Sequence, residues 1–186
     1  MTEPQTIYLK DYQPPAFLVE HVSLAFTLHP TSTEVVATVR YQRNNLAAAD
    51  APLCLDGYDI ELVSIKLDGE VMEQQLYQLH AEGMRIQSLP DSFELEIVTR
   101  INPQDNTALE GLYCSGGNYC TQCEAQGFRR ITYYQDRPDV MAPFDVSIVA
   151  DRASNPVLLS NGNSIAFGEL AAGTRIGREW CRGGAS

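Results

Sequence analysis

Cys114, Cys120 and Cys123 stand close together in a C-x5-C-x2-C spacing, and thiolates at such distances are candidate zinc ligands. A structural zinc site takes four Cys or His ligands. The fourth would have to come from Cys54, Cys181, His21, His29 or His80, none of which stands at a finger-like spacing. A redox Cys-x-x-Cys needs a helix N-terminus after a strand in a βαβ unit, and no βαβ pattern is present. The residues therefore favour free thiols packing a loop. The three histidines form no His-Glu-x-x-His or other i, i+4 pair that would hold a catalytic zinc on a helix. No Gly-x-Ser-x-Gly elbow occurs, and Ser115-Gly116-Gly117 lacks the glycine spacing and the lysine of a phosphate-binding loop. No catalytic constellation is complete.

Gln122 and Glu124 sit two apart in Cys-Thr-Gln-Cys-Glu-Ala-Gln-Gly, residues 120–127. On an extended backbone, residues i and i+2 point the same way, so an amide and a carboxylate would share one face. A carboxylate held in a cleft attracts an ammonium group, and the amide adds a directional hydrogen bond. A lone Glu in a loop is also commonly just a solvated charge, so both readings stay open on these residues alone. Arg129, Arg130, Asp136, Arg137 and Asp139 surround Tyr133 and Tyr134. This mixed cluster reads as an ion-pair network whose role is positional, because exposed pairs contribute only about 0–1 kcal/mol each.

The elements that would carry these groups are strands. Val22, Leu24, Phe26 and Leu28 alternate with polar or small residues, as do Val35, Ala37, Val39 and Tyr41 across the turn cluster 29–33. Residues 60–67 form another run, ending at Asp68-Gly69, a turn dipeptide leading to a strand near Val71. Short runs at 76–80 and 84–89 follow. The cleanest strand is Phe93, Leu95, Ile97, Thr99 and Ile101, and Phe144, Val146, Ile148 and Ala150 alternate again. Runs at 157–160 and 164–168 bracket Asn161-Gly162-Asn163, a hairpin signal. A single helical turn is expected around 136–142, where Pro138 suits a first-turn position. The expected fold is mostly β: a sandwich of antiparallel or mixed sheets with a long irregular, functional loop over 102–127.

The chain has 186 residues, 44% of them hydrophobic, which suits one domain with a real core. Its net charge of −11 disfavours nucleic acid, which needs a basic stripe, and is compatible with cationic ligands such as amines. The opening residues lack the order of a signal peptide, and no apolar run approaches the ~18 residues of a membrane span. A cytoplasmic protein with reduced cysteines is the expectation.

Residues 107–140, TALEGLYCSGGNYCTQCEAQGFRRITYYQDRPDV, closely resemble a signature of the aminopeptidase N family, the zinc-dependent alanyl aminopeptidases of bacteria. Asp11-Tyr12 with Pro15 and the run Pro156–Asn163 support the match, which extends over roughly residues 8–174. The resemblance implies a first domain shaped as a twisted β saddle, normally packed against a thermolysin-like catalytic domain in the same chain. That second domain carries the zinc on His-Glu-x-x-His and a more distant Glu, with a Gly-Ala-Met-Glu-Asn motif at the substrate's amino end. Neither motif occurs in these 186 residues. The chain is therefore expected to need no cofactor of its own and to be inactive alone, zinc belonging to the full-length enzyme of peptide catabolism.

By the same resemblance, Glu124 binds the free α-ammonium of a peptide substrate and Gln122 lines the pocket for its first side chain. A carboxylate fixed at a set distance from the reacting centre then acts as a ruler that admits removal of one residue only. After Gly173 the sequence departs from the family's pattern. Residues 1–174 are thus read as the β domain and 175–186 as a divergent tail of the kind a truncation or frame-shift produces, which places the last strand in doubt. The alternative reading is a free-standing β-sandwich module that binds a peptide or partner.

Overall fold

The computed structural model describes residue 10, residues 12–170 and residues 173–181. Both extremes of the expected domain and tail, with Asp11, lie outside the described residues. The alternating runs on either side of the first turn lie in long strands. β1 (Phe17–Thr27) and β2 (Thr33–Arg43) form an antiparallel hairpin across the turn at 29–32. Thr33 closes it, its hydroxyl donating to the His29 carbonyl at 2.7 Å. β3 (Leu53–Asp56), β4 (Glu61–Leu67) and the two-residue β5 (Glu70–Val71) follow. Asp68 and Gly69 join β4 to β5 with positive φ at both positions, 50° and 85°, as a mirror-image hairpin turn requires. Next come β6 (Tyr77–His80), β7 (Gly83–Ile86), β8 (Ser92–Ile101), β9 (Gly111–Ser115) and β10 (Asn118–Gln122). β11 (Phe144–Asp151), β12 (Asn163–Leu170) and β13 (Arg175–Cys181) complete the described strands.

Eight strands make one mixed sheet in the order β12-β13-β11-β1-β2-β8-β4-β5. Its single parallel pair is β1 with β11. β3, β7 and β6 form a separate three-stranded sheet, and β9 with β10 a two-stranded one. The core is one face of the large sheet. On β2 the buried residues are Thr33, Val35, Ala37, Val39 and Tyr41; on β8 they are Phe93, Leu95, Ile97, Thr99 and Ile101. Leu53, Leu55, Met84 and Ile86 of the small sheet join the same apolar cluster, which makes a sandwich. Thr99 is polar yet buried because its hydroxyl donates to the Ile131 carbonyl at 2.9 Å.

Four sequence expectations change. The stretch 102–127 is no irregular loop throughout: Gly111–Gln122 folds as a hairpin. Gly116 and Gly117 take φ of 56° and 84°, the conformation that two-residue hairpin turns demand. Residues 157–160 form no strand. Only Leu158 turns into the protein there, and the partner of β12 is β13. Around 136–142 there is a turn at Pro138-Asp139, closed by Val140 N–H to the Arg137 carbonyl at 3.1 Å, rather than a helical turn. Single-turn 3-10 helices lie instead at Gln74–Leu76 and Phe128–Arg130.

The fourth change concerns the last strand. Arg175–Cys181 pairs on both sides, with β11 and β12. Ile176 and Trp180 are four apart, so they share a face, and both are buried with Ala150 and Leu158. Trp180→Ala should therefore destabilise the protein by roughly 3–5 kcal/mol, as expected for a buried Trp. The urea unfolding midpoint measures this, and a loss below about 1 kcal/mol would show that β13 contributes nothing to the fold.

Candidate functional site

Gln122 ends β10, paired with Gly111, and Glu124 opens a four-residue turn over 124–127. The strand thus ends between the two residues, so they do not lie on one regular β face. Instead the Gln122 side-chain amide donates to the Glu124 main-chain carbonyl at 3.2 Å. Both residues are exposed, and the Glu124 carboxylate makes no hydrogen bond or ion pair among the described residues. At the turn's far end, Gly127 N–H donates to the Cys123 carbonyl at 2.9 Å. A Cβ on Gly127 would overlap the Gln122 carbonyl oxygen, so only glycine lets the turn fold this tightly onto β10.

The mixed-charge cluster lies directly behind this turn. Asp136 Oδ2 accepts the Arg129 main-chain N–H at 3.1 Å and its Nε at 3.0 Å. One Arg129 terminal nitrogen donates to the Asp136 carbonyl at 2.9 Å. Another lies 3.6 Å from Asp56, whose carboxylate also accepts the Asp136 N–H at 3.2 Å. Burial pushes the Asp56 carboxyl up, against the opposing pull of Arg129. Arg130 is paired with Asp59 and, at 3.0 Å, with Glu110. Arg137 pairs with Asp139 at 2.7 Å, and that hydrogen bond holds the Asp139 carboxyl below its usual range. Tyr12 donates to the same carboxylate at 2.8 Å. Sequence reasoning found the five charged residues but not Asp56, Asp59 or Glu110, which come from distant segments and carry no local signal.

All five cysteines are free. Cys123 is exposed yet sits in the wall of a concave groove, and desolvation there, with Asp136 adding, pushes its thiol up to about 11. That is the wrong direction for a redox or nucleophilic thiol. Among the described residues, no group of three or more His, Cys, Asp or Glu is arranged to hold a metal ion. Among these residues the donor sets do not fit a zinc site.

The groove has a volume of about 740 Å³ and runs between the large sheet, the hairpin and residues 154–161. Phe26 of β1, Leu28 just beyond that strand, and Val146 and Ile148 of β11 line it. Val157 and Leu159 on its rim are 67% and 77% exposed, so the apolar surface is open to solvent. No helix among the described residues is long and apolar enough to cross a membrane.

The profile of the peptidase M1 N-terminal domain matches residues 19–180. The chain is similar to aminopeptidase N of Caulobacter vibrioides, 46% identical over 177 residues, covering 95% of this chain and 20% of that protein. It is likewise 45% identical over 178 residues to aminopeptidase N of Escherichia coli, covering 96% of this chain and 20% of that one. The chain thus spans about a fifth of these relatives' length. Among solved structures, Legionella pneumophila aminopeptidase A, in complex with aspartic acid, superposes with a TM-score of 0.85 at 31% identity over 93% of this chain and 20% of that one. An M1 zinc metallopeptidase variant from Deinococcus radiodurans bound to a Tyr-Ser-Ala substrate shares the fold, with a TM-score of 0.72 at 14% identity, 89% and 39% covered. The mostly β sandwich, the hairpin with its glycine-locked turn and the sequence match agree: the chain belongs to the peptidase M1 N-terminal domain family.

Proposed function

We propose that this chain is the substrate-recognition part of a zinc aminopeptidase that removes N-terminal residues from peptides. Glu124 binds the free α-ammonium, and Gln122 borders the first side chain. The observation that carries the proposal is the unpaired, exposed carboxylate of Glu124 on a turn whose backbone is fastened at both ends. A carboxylate so held can receive a cation without first breaking an internal ion pair, and its fixed position contributes orientation rather than chemistry. Residues 1–174 would form the domain and 175–186 the divergent segment, of which 175–181 lies between β11 and β12 in the sheet. The remainder of the enzyme, lying in the same chain in relatives, would cover the apolar groove. Five free thiols suit the reducing cytoplasm, where we place the protein.

The apolar groove also supports a second reading, a free-standing module that binds a peptide or partner. One assay separates the two. The chain alone should release no alanine from an alanyl anilide. Joined to the remaining four-fifths of the E. coli aminopeptidase N, it should support hydrolysis of the free-amine substrate and very little of the N-acetylated one. Equal turnover of both substrates would sink the Glu124 proposal, and a joined protein that folds but stays inactive would favour the module.

A further inference from the structure

The paired Arg129 and Asp136 side chains are each nearly buried, with side-chain exposures of 13% and 11%, and neither reaches the exposed turn that carries Glu124. They are joined to that turn along the chain through Phe128 and by a series of hydrogen bonds. Asp136 takes the Arg129 main-chain N–H at 3.1 Å, one of the donors a helix start leaves unsatisfied. Tyr58 N–H donates to the Arg129 carbonyl at 3.0 Å, which fastens the same residue from the other side. One residue further on, Arg130 N–H donates to the Gly127 carbonyl at 3.1 Å, and Gly127 N–H in turn reaches the Cys123 carbonyl at 2.9 Å. The turn 124–127 is therefore clamped between β10 and a short helix whose position the Arg129–Asp136 pair sets. Asp56 ties the pair to β3 of the small sheet, through its contact with the Asp136 N–H at 3.2 Å.

We propose that Arg129 and Asp136 are positioning residues for Glu124: they fix the height and angle of its turn, and so the place where a substrate's ammonium is received. The proposal rests on the Glu124 reading for its function but not for its geometry. A planar guanidinium making two hydrogen bonds to one neighbour holds a single orientation, which an ammonium on a flexible stem does not. Loss of that orientation frees the helix start, and with it the turn.

Two measurements test this separately. The first is amide exchange on the full 186-residue chain. Arg129→Lys, or Asp136→Asn should the first fail to fold, should speed exchange at Gly127 by about tenfold or more while amides of β2 and β8 keep their protection. Unchanged exchange at Gly127, or a uniform rise across the sheet, would overturn the proposal. The second uses the chain joined to the E. coli remainder. Arg129→Lys should raise KM for a free-amine substrate about tenfold, with kcat within about threefold. Combined with Glu124→Gln, it should add less than about twofold, because its effect passes through Glu124. Full multiplication of the two effects would mean that the pair only supports the fold, which also overturns the proposal. If Glu124→Gln alone leaves kcat/KM unchanged, the ammonium-binding reading fails, and the exchange result still decides whether the pair sets the turn.

Discussion

Glu124→Gln in the joined enzyme is expected to lower kcat/KM for free-amine substrates by one to two powers of ten. The amide keeps the shape of the carboxylate and removes its charge, so the loss reports the ion pair with the α-ammonium. A charge-assisted hydrogen bond contributes roughly 1.5–3 kcal/mol, which is about that range. Glu124 has no internal partner among the described residues, so its substitution leaves no protein cation stranded. If the bond is already formed in the bound ground state, KM rises most. If it also aligns the scissile bond, kcat falls with it. The N-acetylated substrate, which lacks the ammonium, should be poor for the wild type and little worse for the variant. Steady-state kinetics on the two substrates measure all of this, and equal kcat/KM for wild type and variant on the free amine would reduce Glu124 to a surface charge.

Gly83→Ala should destabilise the protein about as much as Trp180→Ala, on the order of 3–5 kcal/mol. Gly83 begins β7 opposite Asp56 of β3, with φ of 155°. A Cβ there would overlap the Leu55 carbonyl oxygen, and that backbone atom cannot swing aside as a flexible side chain would. The strands would have to part. Leu53, Leu55, Met84 and Ile86 would then leave the core, and Asp56 would lose its place beside Asp136. The hairpin turn at Gly69 makes a useful control, since its Cβ would meet open space and only its φ of 85° opposes alanine. Urea unfolding should show a much smaller shift for Gly69→Ala than for Gly83→Ala. Similar shifts would mean that the β3–β7 contact is not tight.

Long strands were legible because seven to nine residues repeat one alternation. Val35 to Tyr41 and Phe93 to Ile101 face the core as their pattern says. Short strands were not. β3 is four residues long and exists because it pairs with β7 and bridges Tyr134, partners that no local window contains. The β9–β10 hairpin carried its signal openly in Gly116-Gly117, but its strands are only five residues long and include Gly111 and Asn118, which have little β preference. Val157 to Leu159 misled in the other direction, since an apolar run says nothing about whether a partner strand lies beside it.

At the site, the chemistry of Gln122 and Glu124 could be read from residue types, and the resemblance singled them out. Their geometry could not. The turn depends on Gly127 meeting the Gln122 carbonyl oxygen, and its support depends on Asp56, which lies 80 positions from Asp136 in the chain. Asp59, 71 positions from Arg130, is equally remote. Such contacts are products of the whole fold, so a reading of neighbours along the chain does not reach them.

The most direct measurement is a crystal structure of the chain joined to the E. coli remainder, with a free amino acid or short peptide bound. The account predicts the ligand's ammonium nitrogen about 2.7–3.1 Å from a Glu124 carboxylate oxygen, as a charge-assisted hydrogen bond requires. A ligand whose nitrogen is held wholly by other residues, with the Glu124 carboxylate left in solvent, would contradict it.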